Sequence, residues 1–171
     1  MGRRNYLIEG GSGTGKTTVC YELRRRGYHA INGDRELAYQ GDPETGDPVA
    51  GVTGAAVHSH HLWHVDKVLA LVADQQEAVT FFCGGSRNLA TFIDLFDRVF
   101  VLEVDRETLK RRLDGRPANE WGGRKEEREL IERLHETREE IPPGGIAIDA
   151  TAPLAHVVDD ILRHVQAAGP A

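Results

Sequence analysis

A chain of 171 residues with 40% hydrophobic and 28% charged side chains is long enough for one domain with a sizeable core. Its formal net charge of −6 argues against a nucleic-acid partner, which needs a basic surface, yet leaves room for a small anion held by a local arginine cluster. No apolar run approaches a membrane span, no signal-peptide core stands at the start, and Cys20 and Cys83 belong to no metal-spaced pair, so the expectation is a cytoplasmic protein with no membrane partner and two reduced, buried thiols.

Taken in order, residues 6–9 read as a strand. Gly10-Gly11-Ser12-Gly13-Thr14-Gly15-Lys16-Thr17 then fits G-x-x-x-x-G-K-[ST], a loop whose glycines let backbone N–H groups converge on one anion. A helix over about 16–26, closed by Gly27, aims the positive end of its dipole at the same point. This assigns Gly11, Ser12, Gly13, Thr14, Gly15, Lys16, Thr17 and Thr18 to phosphate binding, with Lys16 on the β- and γ-phosphates and the Thr17 hydroxyl on Mg²⁺. A dinucleotide fingerprint starting at Gly11 is disfavoured, because its last glycine would fall on Lys16.

A second short strand, 28–32, ends at Gly33-Asp34, which could cap a helix over 35–39. A polar loop follows over 40–54, and Leu62, Val65, Leu69 and Val72 predict a helix over about 60–76. The third strand, 78–83, runs into Gly84-Gly85-Ser86-Arg87-Asn88. A short helix near 89–95 leads to a fourth strand over 98–104, apolar enough to be buried on both faces. A basic helix over 106–113, a Gly/Pro-rich loop over 114–123 and a charged helix over 125–140 come next. After Pro142-Pro143-Gly144-Gly145 stand a fifth strand at 146–148 and an amphipathic helix on Leu154, Val157, Val158, Ile161, Leu162 and Val165. Alternating strands and helices make a three-layer α/β domain whose ligand crevice lies beyond the strand C-termini.

Candidate residues collect at those ends. Asp34 could hold Mg²⁺ or take a proton from an attacking hydroxyl, or it could simply cap a helix. Arg87 could clamp an acceptor carboxylate or phosphate, or form an ordinary ion pair. Arg112 and Arg116, at the edge of the 114–123 loop, could close on a transferring phosphoryl group, with Arg124 and Lys125 as weaker candidates. His58, His60, His61 and His64 could line an acceptor site, and His60 and His64, four apart on the predicted helix, have a zinc-capable spacing. Trp63 reads as core or pocket wall, and Trp121 as a shield over a closed site.

These residues together resemble the small P-loop kinases related to adenylate, shikimate and gluconate kinases, over nearly the whole chain. Gly33-Asp34 is similar to the Gly-Asp of adenylate and adenylylsulfate kinases, Arg87 to the arginine that ends the adenylate-kinase third-strand segment, and Arg112 and Arg116 to its lid R-x-x-x-R. The stretch Ile148-Asp149-Ala150-Thr151-Ala152-Pro153 resembles the segment on which these kinases pack adenine, implying Thr151 and Pro153 beside the base. The resemblance implies a single P-loop NTPase domain over 1–171, a five-stranded parallel sheet of order 2-3-1-4-5, an acceptor-binding insertion over about 35–66 and a lid over about 112–126. It also implies ATP·Mg²⁺ as donor, a small-molecule acceptor, and Thr17 and Asp34 as metal residues.

The chain departs from that pattern in two places. Leu37 stands where adenylate kinases have an arginine, and Cys83 where they have an acid at the third strand's end. The expected function is ATP-dependent phosphoryl transfer to a hydroxyl or to a nucleoside monophosphate. The alternative is a nucleotide-dependent switch with no small acceptor.

Overall fold

The computed structural model describes residues 3–169. β1 (Arg4–Gly10) is buried from Asn5 onward and delivers Gly10 into the glycine-rich loop. Along it Tyr6 and Ile8 face one core while Leu7 faces the other, the two-residue alternation of a strand covered on both sides. α1 (Lys16–Arg25) buries Val19, Cys20 and Leu23 and ends with Arg24 and Arg25, cations at the negative end of its dipole. Gly27, at φ 88°, reverses the chain. Its N–H and that of Tyr28 return to the carbonyls of Arg24 and Leu23, and β2 (His29–Asn32) begins.

The next segment differs from the expectation. Asp34 lies inside a single helical turn, α2 (Gly33–Glu36), and does not cap a helix over 35–39. β3 (Ala38–Gln40) starts instead, and after the polar loop and a second single turn, α3 (Ala56–Ser59), it pairs antiparallel with β4 (His61–Trp63). Only then does α4 (Val65–Ala73) begin. Residues 60–76 are therefore not one helix. A strand sends Leu62 and Trp63 to opposite faces, and both faces are covered: Leu62 is 1% exposed and Trp63 fully buried. The helical spacing of residues 62–72 misled because α4 buries Val68 and leaves Leu69 48% exposed.

β5 (Val79–Cys83) leads to two 3₁₀ turns at Leu89–Thr91 and Ile93–Leu95, where one short helix was expected, and then to β6 (Arg98–Glu103). α5 (Arg106–Asp114) starts at Asp105, whose carboxylate accepts the Thr108 N–H at 2.7 Å. α6 (Lys125–Thr137) ends at Arg138 in the left-handed region, φ 55°, so Glu140 lies past the helix and not in its last turn. β7 (Ile146–Asp149) and α7 (Leu154–Ala167) close the fold, with Val157, Val158, Ile161 and Leu162 buried.

The main sheet runs β2-β5-β1-β6-β7, all parallel. Counting only its own strands, that is the expected order 2-3-1-4-5. The sheet reverses direction of winding at β1, so the crevice at the end of β1, flanked by the ends of β5 and β6, is where a ligand belongs. Among the described residues no helix is long and apolar enough to cross a membrane.

Candidate active site

The loop between β1 and α1 has the backbone its glycines permit. Gly13 sits at φ 84° with Leu109 Cδ1 only 2.7 Å from where a Cβ would be, and Gly15 sits at φ 100° directly before α1. Thr14 Oγ1 donates to the Gly11 carbonyl at 2.7 Å, tightening the turn. The Lys16 ammonium donates to the carbonyls of Gly10 and Gly11 and stands 3.9 Å from Glu9 Oε1. The first turn of α1 carries no acidic residue to offset its dipole. This is a ready anion cradle. A cavity of about 640 Å³ opens over it, lined by Gly10, Gly11, Ser12, Gly13, Gly15, Lys16, Thr17 and Thr18 on the loop side.

Glu9 also lines this cavity and was not singled out from the sequence, where it reads as one more strand residue. It is 4% exposed, accepts the Gly10 N–H at 2.8 Å, and lies under Gly85, where a Cβ would stand 2.5 Å from its Oε1. Burial pushes the Glu9 carboxyl up, against the opposing pull of Lys16, the Gly10 N–H and Arg87. Its signal in the sequence was a carboxylate on the last position of the strand entering the loop.

Asp34 faces the same cavity from the other side. Its Oδ1 lies 3.1 Å from His61 Nε2. Trp63 is buried behind Asp34 and does not line the cavity: a Cβ at Gly33 would come within 2.6 Å of its Cε2, and one at Gly84 within 2.8 Å of its Cζ2 and 3.0 Å of Asp34 Oδ1. Both glycines are thus needed for the close approach that seats Asp34 over the indole. Burial acts to raise the Asp34 carboxyl, but the His61 bond and the Lys16 charge outweigh it and hold it below its ordinary value.

Arg87 is held by its backbone, whose N–H donates to the His61 carbonyl at 2.9 Å. Next to it Asn88 brackets Trp63, accepting the Trp63 N–H at 3.0 Å and donating to its carbonyl at 2.9 Å. The Arg87 guanidinium lines the cavity in an ion pair with Glu140. His58 Nε2 reaches the same carboxylate at 2.7 Å, and its ring stacks on Trp121 at 5.8 Å and 9°. Burial alone would raise Glu140, yet His58 and Arg87 bring it below the usual carboxylate range. The four histidines do not form one cluster. His58 and His61 serve different carboxylates, His60 Nδ1 contacts the Ala56 carbonyl at 2.9 Å, and His64 stacks on Tyr39 at 4.1 Å. Because residues 61–63 are a strand, His60 and His64 share no helix face. Among the described residues no group of three or more His, Cys, Asp or Glu is disposed to hold a metal.

The loop after α5 folds back on the glycine-rich loop. Arg112 donates to the carbonyls of Gly13 and Ala150, each at 3.0 Å. Arg116 Nη1 donates to Ser12 Oγ at 3.2 Å and to the Trp121 carbonyl at 2.7 Å. Partial burial pushes the Arg116 guanidinium down. Beside it a smaller cavity of about 260 Å³ lies between the glycine-rich loop and the segment after β7. Ala150 and Leu154 line it; Thr151 and Pro153 do not. Thr151 instead accepts the Asp105 N–H at 3.4 Å, and Pro153 precedes the first turn of α7.

The donor set fits Mg²⁺ with a triphosphate better than a soft metal. Thr17, Asp34 and Glu9 offer hard oxygens in one cavity. Cys83, at the end of β5, is a buried thiol pushed up by burial and engaged with Cys20, so it supplies no acid there.

Among solved structures, a sugar kinase from Janibacter sp. HTCC2649 is 18% identical, covers 96% of this chain and 95% of its own, and superposes with a TM-score of 0.58. Shikimate kinase from Aquifex aeolicus vf5 is 18% identical over 95% and 96%, TM-score 0.57. Deoxyadenosine kinase from M. mycoides, solved with bound dATP, is 20% identical over 96% and 100%, TM-score 0.54. At such identities the shared property is the fold, that of small P-loop kinases. No curated protein matches the sequence. The AAA domain family model matches residues 7–140, from the middle of β1 to the carboxylate that pairs with Arg87, and the chain belongs to that family.

Proposed function

We propose that the protein is an ATP-dependent kinase that transfers the γ-phosphoryl group to a hydroxyl of a small molecule. One observation carries the reading: a single cavity has the Lys16 cradle on one side and the Asp34–His61 pair on the other. Loop amides and Lys16 hold the phosphates, and the smaller cavity by Ala150 and Leu154 takes the base. Thr17 and Asp34, with Glu9 behind them, would hold Mg²⁺, which neutralises phosphate charge when bound.

Asp34, kept ionised by His61 and Lys16, accepts the proton of the attacking hydroxyl. The hydroxyl oxygen bonds to the γ-phosphorus, the bond to the β,γ-bridging oxygen breaks, and its electron pair leaves on ADP. Arg112 and Arg116 are already on the glycine-rich loop and stabilise negative charge spread over the transferring group. Trp121 and Arg116 cover the cavity and exclude water.

A hydroxyl acceptor is favoured over a phosphate because a hydroxyl needs a base, and Asp34 has the partner and charge state of one. Asp34→Asn should lower kcat by about a hundred- to ten-thousandfold while ATP still binds. A variant with unchanged kcat would remove Asp34 from the chemistry.

A further inference from the structure

We infer that the acceptor is an uncharged or amine-bearing hydroxyl compound, and that Glu140 sets this preference by neutralising Arg87; the inference rests on the kinase function proposed above. The cavity lining carries four carboxylates, Glu9, Asp34, Glu120 and Glu140, against the four cations Lys16, Arg35, Arg87 and Arg116. Lys16 and Asp34 feel one another's charge, as do Arg116 and Glu120. The loop amides and Lys16 draw a triphosphate, and the rest of the lining leaves no surplus Lys or Arg to draw a second anion.

Arg87, the side chain best suited to clamp an anion, is already engaged. It pairs with Glu140 Oε1 with both side chains largely shielded, 21% and 25% exposed. His58 Nε2 bridges both oxygens of that carboxylate, at 2.9 and 2.7 Å. An incoming carboxylate or phosphate would have to displace Glu140 and leave it beside a new negative charge in a half-buried site. A hydroxyl donates to such a carboxylate without displacing it, and an ammonium pairs with it. Trp121, Ile131, Leu134 and Ile141 supply apolar surface for a carbon skeleton. Glu140 belongs to no helix or strand, and its carboxylate is held by Arg87 and His58. That pairing, made across three separate segments, is what a specificity device needs and an incidental surface ion pair lacks.

Two measurements on the full chain test this. In the first, ADP release from MgATP is followed with polyols, nucleosides, amino sugars and aminocyclitols, and with their carboxylate and phosphate counterparts. Stimulation is expected from uncharged or amine-bearing members, and stimulation confined to carboxylates or phosphates would overturn the inference. If no compound stimulates release, the kinase reading itself fails, and the second measurement still decides the charge preference. There, gluconate and ribose 5-phosphate are titrated calorimetrically into ADP-saturated wild type, Glu140→Gln and Glu140→Ala, each checked for a native melting transition. Wild type should bind neither anion, and both variants should bind them at least tenfold more tightly. Wild type binding them as well as the variants do would show that Glu140 does not gate Arg87.

Discussion

Replacing Arg116 separates a catalytic cation from a structural staple. Its guanidinium donates to the Trp121 carbonyl at 2.7 Å and to Ser12 Oγ at 3.2 Å. The first is a short charge-assisted bond, and losing such bonds costs about 1.5–3 kcal/mol. For a domain of this size, about 2–4 °C of Tm per kcal/mol gives a fall of some 3–12 °C in Arg116→Ala. If Arg116 also meets charge developing on the transferring group, kcat should fall about a hundred- to a thousandfold, about 2.7–4 kcal/mol. Arg116→Lys keeps a charge but not the planar guanidinium that can meet phosphoryl oxygens bidentately, so its kcat should be intermediate. Differential scanning fluorimetry gives Tm, and coupled ADP detection at saturating ATP gives kcat. A variant that melts early but keeps kcat within about threefold of wild type would make Arg116 a lid fastener only and refute its catalytic assignment.

The remaining predictions probe His61, Glu9 and Gly33. His61→Gln removes a group that holds the Asp34 carboxyl down. Since the base works only when ionised, the acid limb of the kcat/KM profile should move to higher pH, and an unmoved limb would detach His61 from Asp34. Burial raises the Glu9 carboxyl above its ordinary 4.5, so the folded state binds more protons than the unfolded state as pH rises from there, and wild type loses stability through that window. Glu9→Gln should therefore gain Tm relative to wild type as pH rises from 4.5 upward; a difference independent of pH would mean Glu9 is not perturbed. Gly33→Ala forces a methyl onto the fully buried Trp63 and should cost about 1–3 kcal/mol in urea unfolding. An unaltered midpoint would show that the buried indole yields freely.

The glycine-rich-loop side of this site was legible because its signals are local. The glycine-rich loop follows a strand and opens a helix, so spacing alone places Lys16 and Thr17, and the strand-end rule places Asp34 in the same crevice. The parallel sheet was legible for a similar reason: each apolar run is bounded by turn residues. The opposite side was not, because its geometry depends on pairs distant in sequence. Trp63 is buried by glycines at 33 and 84, which no window around residue 63 contains, and its burial turns an apparent helix into β4. Glu140 reaches Arg87 and His58 from 53 and 82 residues away in the chain. A histidine-rich stretch suggested one cluster, whereas the strand sends His61 to Asp34 and leaves His58 to Glu140 and Trp121. Glu9 escaped notice because a single charge in a strand carries no periodic signal.

Transfer to an acceptor is read out by following the γ-phosphoryl group itself. ATP labelled at the γ-position is incubated with the protein, Mg²⁺ and the uncharged and amine-bearing acceptors, and the products are separated. Label is expected on an organic product, in step with ADP formed, and that product should be lost in Asp34→Asn. Label appearing only as inorganic phosphate, at a slow rate that no acceptor changes, would rule out transfer and make the chain a nucleotide-hydrolysing switch.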